Sequence, residues 1–208
     1  MAYPNGQEIW DYFKIIFDNN EYGVAGLMGN LYAESGLLPF RLQGDYDSPN
    51  YPTSHAYTAD VNDGTYTESQ FVNDSKGYGL AQWTTSGRKQ GLYTLCLGTT
   101  YCGIDSLSKQ MEYIVDELNA SFVDVLDVLM NSTSLWQCST KVLTDYENPQ
   151  VQTYEVKLQR WRYSRDIYNT YSGQPPIPPT PPIPPSTRSK MPLYMYTLRQ
   201  ARYKKGLL

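Results

Sequence analysis

Apolar residues in the first part of the chain recur every three or four positions. Ile9, Tyr12, Phe13, Ile16 and Phe17 form one such stripe, and Val24, Leu27, Met28, Leu31 and Tyr32 form a second. A 3.6-residue period puts each set on one helical face, so two amphipathic helices are predicted. Asn20 stands where it would cap the second helix, and Gly36 where it would close it. The same period predicts helices over residues 85–97, 106–119, 120–131, 134–147 and 151–171. Between Gly36 and about Glu68 the pattern fails. That stretch is rich in Asp, Asn, Tyr, Pro and Gly, and reads as a long loop or small hairpin region. The class is mainly α.

The pattern ends altogether at residues 175–185, "PPIPPTPPIPP", which hold 8 of the 14 prolines. Such a run adopts extended polyproline II, roughly 3.1 Å per residue, and serves as a stiff spacer or as a ligand for a proline-binding module. A folded unit over residues 1–173 is therefore expected, then a linker over 174–190 and a tail over 191–208. The tail is too short to bury a core. It reads as an interaction segment, an amphipathic segment or the stub of something larger.

Charge sharpens this division. Residues 1–187 carry 11 Lys and Arg against all 21 acids, whereas residues 188–208 carry six basic residues and no acid. An acidic body argues against nucleic-acid binding. The basic tail, with Tyr194, Tyr196, Arg199, Arg202, Lys204 and Lys205, suits an anionic surface or partner. No run of 18 apolar residues is present. The start "MAYPNGQEIWDYF" lacks a secretory pattern, so synthesis in a cytoplasm without a signal peptide is expected. Cys96, Cys102 and Cys138 make no disulfide framework; they read as free thiols, with a Cys96–Cys102 bridge open outside the cell. Oligomeric state is not legible.

Elimination narrows the chemistry. One histidine, His55, excludes a two-histidine zinc site, and it has no recognisable nucleophile partner. No P-loop or GxGxxG occurs, and neither cofactor nor metal is expected. Carboxylates remain. Glu34 falls in the last turn of the second helix, where the carbonyl end disfavours an ionised carboxylate. A carboxyl that carries a proton there suits a general acid for a glycosidic oxygen. The alternative is a structural pair with Arg41 or a lysine. Ala25, Gly29 and Ala33, spaced by four, mark a face that another backbone can approach.

A second stretch, "GYGLAQW" at 77–83, sets Gly77 and Gly79 beside Gln82 and Trp83. Glycines permit a tight turn, glutamine can donate and accept to a sugar, and tryptophan offers a stacking face. A plain capping turn fits the glycines equally well. The 20 Tyr and 4 Trp against 5 Phe suit sugar stacking, or a tyrosine-rich core.

Together "AESG" and "GYGLAQW" resemble the Glu-Ser pair and Gly-Leu-x-Gln turn of the lysozyme superfamily, as in goose-type lysozymes and lytic transglycosylases. The closer resemblance is to the phage tail lysozyme family of endolysins and tail-associated lysins. It is carried by "GVAGLMGNLYAESGL", "VNDGTY", "FVNDSKGYGLAQWT", "SGRKQ" and "LTDYENP", and covers roughly residues 5–171. It implies a lysozyme-like fold and cleavage of peptidoglycan between N-acetylmuramic acid and N-acetylglucosamine, with Glu34 as general acid. It also implies a sugar subsite at Gln82 and the Gly79–Leu80 backbone, flanked by Ser35, Tyr78 and Trp83. Tyr146 matches a site-lining tyrosine, though it reads equally as core.

Asp74 occupies the place of the goose-type aspartate, where it would hold the attacking water or simply cap a turn; Asp45, Asp63 and Glu68 are its rivals. Ala81 departs from the methionine of many relatives. Such a lysin would reach the wall through a holin or on the virion, with its basic tail either an attachment to anionic wall polymer or membrane or a disordered remnant. A lytic transglycosylase, or a non-catalytic wall-binding or tail structural module, stands as the alternative.

Overall fold

In the computed structural model, which describes residues 3–45, 50–99 and 101–179, the first stripe becomes α1 (Gly6–Ile16). Ile9, Trp10 and Phe13 face inward, and Phe17, just past the helix, stacks on Phe13 with centroids 5.5 Å apart. The second stripe becomes α2 (Glu21–Ser35). Val24, Ala25, Leu27, Met28 and Leu31 have no solvent exposure, so burial runs around the helix rather than along one face. A helix of this kind belongs at the centre of a domain. Asn20 holds the N-cap position but makes no capping bond; its Nδ2 donates to the carbonyls of Leu129 (2.8 Å) and Ser132 (3.0 Å). Gly36 ends the helix in the left-handed region (φ 69°), its N–H bonded to the Tyr32 carbonyl at 2.8 Å.

Within the stretch expected to be irregular lies α3 (Pro52–Asp63). Its buried positions, Ser54, Tyr57, Thr58 and Val61, keep helical spacing, but two are polar, so hydropathy conceals the face. The short α4 (Glu68–Asn73) opens with a Thr67–Gln70 capping box. After it come α5 (Ser86–Tyr93), which runs on into a π-helical turn at Thr94–Thr99, then α6 (Leu107–Ala120) and α7 (Val123–Asn131). Next is α8 (Leu135–Lys141), continued by a second π-turn at Val142–Glu147, and last α9 (Tyr154–Tyr171). Among the described residues there is no strand, only isolated bridges of Tyr78 to Leu42 and Trp83.

α9 and α8 pack along α2. Tyrosines line the contact with α9: Tyr22 stacks on Tyr168 and Tyr32 meets Tyr163 edge-on, both at 5.0 Å, while Trp10 stacks on Tyr171 at 5.7 Å. Such pairs contribute about 0.5–1.5 kcal/mol each beyond their burial. Much of the tyrosine content therefore serves packing.

Past α9 the chain turns back, with the Ile177 N–H bonded to Asn169 Oδ1 at 2.8 Å and its side chain on the core. Ile177 thus anchors the start of the proline run, while Pro175, Pro176, Pro178 and Pro179 stay exposed. The rest of the expected linker and the basic tail, from residue 180 on, lie outside the described residues. Of the three cysteines, Cys96 and Cys138 are buried and Cys102 is exposed. No helix among the described residues is long and apolar enough to cross a membrane.

Candidate active site

Main-chain bonds lace the segment after α2 to the turn at 77–83. The Gln43 N–H donates to Gly77 (2.8 Å), the Gly79 N–H to Arg41 (2.9 Å), and Tyr78 and Trp83 exchange bonds of 3.2 and 3.0 Å. Gly79 has φ 77°, and a Cβ there would meet Gln110 Oε1 at 2.7 Å, so only glycine fits. Gln110, wholly buried on α6, accepts the Leu80 N–H at 2.8 Å and donates to the Pro39 and Ile104 carbonyls at 2.7 Å. Ser35 Oγ lies 3.0 Å from both the Leu31 and the Leu80 carbonyl, joining the turn to the end of α2. Gln82 is itself left-handed (φ 48°), which costs a side-chain-bearing residue on the order of 1–3 kcal/mol. Its Nε2 donates to Arg41 (3.0 Å) and Gly79 (3.1 Å), which helps to hold that conformation.

Beside this turn lies a cleft of about 230 Å³, lined by Glu34, Gln43, Gly77, Ala81, Gln82, Thr84, Thr85, Arg88, Glu147 and Pro149. No aromatic ring is among these lining residues. Glu34 ion-pairs with Arg160 of α9, so its partner at the helix end comes from neither Arg41 nor a lysine. Glu147, the last residue of the second π-turn, has a side chain only 4 % exposed and lies 3.4 Å from the same guanidinium. The wider π-turn carries Tyr146 inward to Glu117 and Glu147 toward Glu34.

Burial pushes the Glu147 carboxyl well above the usual carboxylate range. Arg160 pulls it back, and the adjacent Glu34 carboxyl, within hydrogen-bonding reach, raises it again. Arg88 contributes its charge from α5 but is committed to Glu117, with bonds of 2.5 and 2.8 Å. Glu117 also accepts from Trp83 Nε1 (2.9 Å) and the Tyr146 hydroxyl (2.6 Å), and so ties the floor of the cleft together.

The structure brings Glu34 and Gln82 into one cleft, with Ala81 beside them. Ser35, Tyr78, Leu80, Trp83 and Tyr146 are buried behind it and hold the turn from within; Trp83 has no exposed face for a sugar. Gly79 contributes backbone only. Asp74 is not in the lining. Its carboxylate accepts from buried Lys89, from Tyr57 (2.5 Å), from Tyr66 (3.3 Å) and from the Lys76 N–H (2.9 Å).

The rival carboxylates are engaged as well. Asp45 takes both the Ser54 N–H and hydroxyl at 2.7 Å, Asp63 the Thr65 N–H at 2.8 Å, and Glu68 the Gln90 amide at 2.7 Å. His55 stacks on Phe40 at 4.3 Å. Among the described residues no group of three His, Cys, Asp or Glu side chains is placed to hold a metal ion. Glu147 and Arg160 escaped the sequence reading, although Glu147 directly follows Tyr146 in "LTDYENP".

A family model described as phage tail lysozyme matches residues 4–171, which is all of α1 to α9. The chain belongs to the phage tail lysozyme family. No curated protein and no solved structure gives a match. Membership makes the mainly helical architecture a lysozyme-like one and gives the chain a lysozyme-like, peptidoglycan-directed role. For a phage tail lysozyme the setting is the bacterial wall or the virion. The matched span stops at the last residue of α9, before the proline run.

Proposed function

We propose that this phage tail lysozyme cleaves peptidoglycan glycan strands at the bond between N-acetylmuramic acid and N-acetylglucosamine, with Glu34 as general acid. The observation that carries the reading is the position of Glu34. It lies in the last turn of the central helix and opens on the cleft that Gln82 of the docked turn also lines. Glu34 delivers a proton to the glycosidic oxygen while the backbone around Gly77 and the Gln43, Gln82, Thr84 and Thr85 side chains offer polar contacts to the sugars. A positioned general acid contributes about 10²–10⁴-fold. Glu34→Gln should therefore lower fragment release from purified peptidoglycan by that factor while the fold persists. A fully active Glu34→Gln enzyme refutes the assignment. A wild type that binds wall but releases nothing supports the non-catalytic wall-binding module instead.

A second reading, the lytic transglycosylase, draws support from the carboxylates. Inversion needs a second carboxylate about 6.5–9.5 Å away to hold water. The lining carboxyls are Glu34 and the nearly closed-off Glu147, while Asp74 is engaged elsewhere. A transglycosylase needs no such base, since the sugar's own 6-hydroxyl attacks. Mass spectrometry of products formed in ¹⁸O-water separates the two. Labelled reducing ends mean hydrolysis, with water held by a group that lines the cleft; unlabelled anhydro-muramic ends mean transglycosylation.

A further inference from the structure

The cleft holds two carboxyl groups, and the reaction above uses one of them. We propose that Glu147 is a positioning residue that shares one proton with Glu34, so that the two carboxyls, with Arg160 beside both, feed the general acid as a unit. This rests on the reading of Glu34 as the acid.

Three observations converge on it. One Arg160 nitrogen, Nη2, reaches both carboxyls, and side-chain exposure rises from Glu147 (4 %) through Arg160 (13 %) to Glu34 (24 %). Neither Glu147 oxygen receives a hydrogen bond from any described N–H or O–H. A buried carboxylate without donors is costly, whereas a protonated one becomes a donor itself, and the Glu34 carboxyl is the acceptor within reach. Lastly, the charged groups facing Glu147 are Glu34 from α2, Arg88 from α5 and Arg160 from α9. Since Arg88 is spent on Glu117 of α6, one guanidinium serves two carboxyls. Two carboxyls so placed do not both ionise readily.

The proton balance follows. Glu34 takes the shared proton and delivers it to the glycosidic oxygen, which also receives the electron pair of the breaking C–O bond. The doubly ionised pair then faces the positive charge growing on the sugar carbon. The attacking hydroxyl, whether water's or the sugar's own, bonds to that carbon and returns its proton to the pair. Cleavage therefore persists with rising pH until the pair loses its last proton.

The test is kcat/KM against pH on soluble glycan strands for wild type, Glu147→Gln and Glu34→Gln. Glu147→Gln should move the alkaline limb to lower pH by on the order of one unit, whatever the height of its plateau. A purely structural Glu147 scales the whole profile without moving the limb, and that result overturns the proposal. If Glu147→Gln does not fold, infrared titration of the wild type decides. A protonated-carboxyl band that persists through neutral pH sustains the shared proton; its absence overturns it. Failure of the Glu34 reading is distinct, for it shows as a fully active Glu34→Gln whatever Glu147 does.

Discussion

Gly29 is where the packing of α2 and the geometry of the cleft can be perturbed together. A Cβ built at Gly29 lies 2.1 Å from Ser164 Oγ, 2.5 Å from the Ser164 nitrogen and 2.7 Å from its Cα. The hydroxyl can rotate away, but the α9 backbone cannot. Ordinary contact starts near 3.4 Å, so α9 must retreat by about 0.9 Å to clear the Ser164 nitrogen if Gly29→Ala is to fit. Overpacking of this kind costs about 1–3 kcal/mol or more. The better helix propensity of alanine offsets ~1 kcal/mol of it. At the upper end of that cost the net loss is roughly 2 kcal/mol, which lowers Tm by about 4–8 °C in a chain of this size.

Arg160 lies one turn from Ser164 on α9, so the same retreat draws it from Glu34 and Glu147. Misplacement near 1 Å costs on the order of 10²-fold in rate. Activity should therefore fall further than the unfolded fraction explains. The assay is thermal unfolding by far-UV circular dichroism alongside fragment release, with Gly87→Ala as control. Gly87 is an exposed helical glycine with nothing within 4 Å of its would-be Cβ, and alanine there should stabilise by about 0.4–1 kcal/mol. A Gly29→Ala protein as stable and as active as wild type would refute the close-approach argument.

Other outcomes follow from the partners each group keeps. Asp74→Asn strands buried Lys89 and should cost about 3–5 kcal/mol in denaturant titration, while a paired Asp74→Asn, Lys89→Met variant recovers much of it. Burial pushes the Asp74 carboxyl up, but Lys89, Tyr57 and the Lys76 N–H outweigh it and hold it below its usual value. Its contribution is therefore complete above the unfolded pKa near 3.9 and is lost as pH falls through the lower folded value. Acid unfolding followed by tryptophan fluorescence should show that loss in the wild type and not in the paired variant. Gln110→Leu leaves the Leu80 N–H and two carbonyls unbonded and should destabilise by roughly 2–4 kcal/mol, read as a Tm drop. Truncation after Pro179 should leave cleavage of soluble glycan unchanged and weaken binding to intact walls; unchanged wall binding ends the attachment role proposed for the basic tail.

The parts of the fold legible in the sequence were those whose buried faces are apolar. α1, α2 and α9 announce themselves through aliphatic and aromatic residues at helical spacing. α3 did not, because Ser54 and Thr58 fill half of its inner face and satisfy themselves locally, Ser54 through Asp45 and Thr58 through the Ser54 carbonyl and Tyr78. The π-turns were invisible because they keep helical composition and change only the register of Tyr146 and Glu147. At the site, motif and spacing singled out Glu34 and Gln82. They did not separate the residues that line the cleft from those that brace it, since Trp83 and Tyr146 are as polar-edged as any sugar platform. Only their bonds to Glu117 and their burial reveal the bracing role.

The carboxyl groups make the same distinction more sharply. Glu117 accepts four bonds from three residues, Asp74 four from Lys89, Tyr57, Tyr66 and the Lys76 N–H, and Asp45 two from Ser54. Glu117 and Asp74 are acceptors saturated by fixed donors, and a carboxylate in that state has no lone pair to lend to a substrate; both Asp45 bonds fall on Oδ2. Glu147 is as enclosed as they are but has no hydrogen-bond donor, and Glu34 has a single guanidinium and a side open to solvent. Folding alone gives no reason to leave a buried carboxyl unmatched beside a second one, because an apolar residue of similar size at position 147 would remove the penalty. The stability forgone there is coherent if the pair has proton chemistry to do, and the cleft that Glu34 opens on is the one place in the described structure where it could be done.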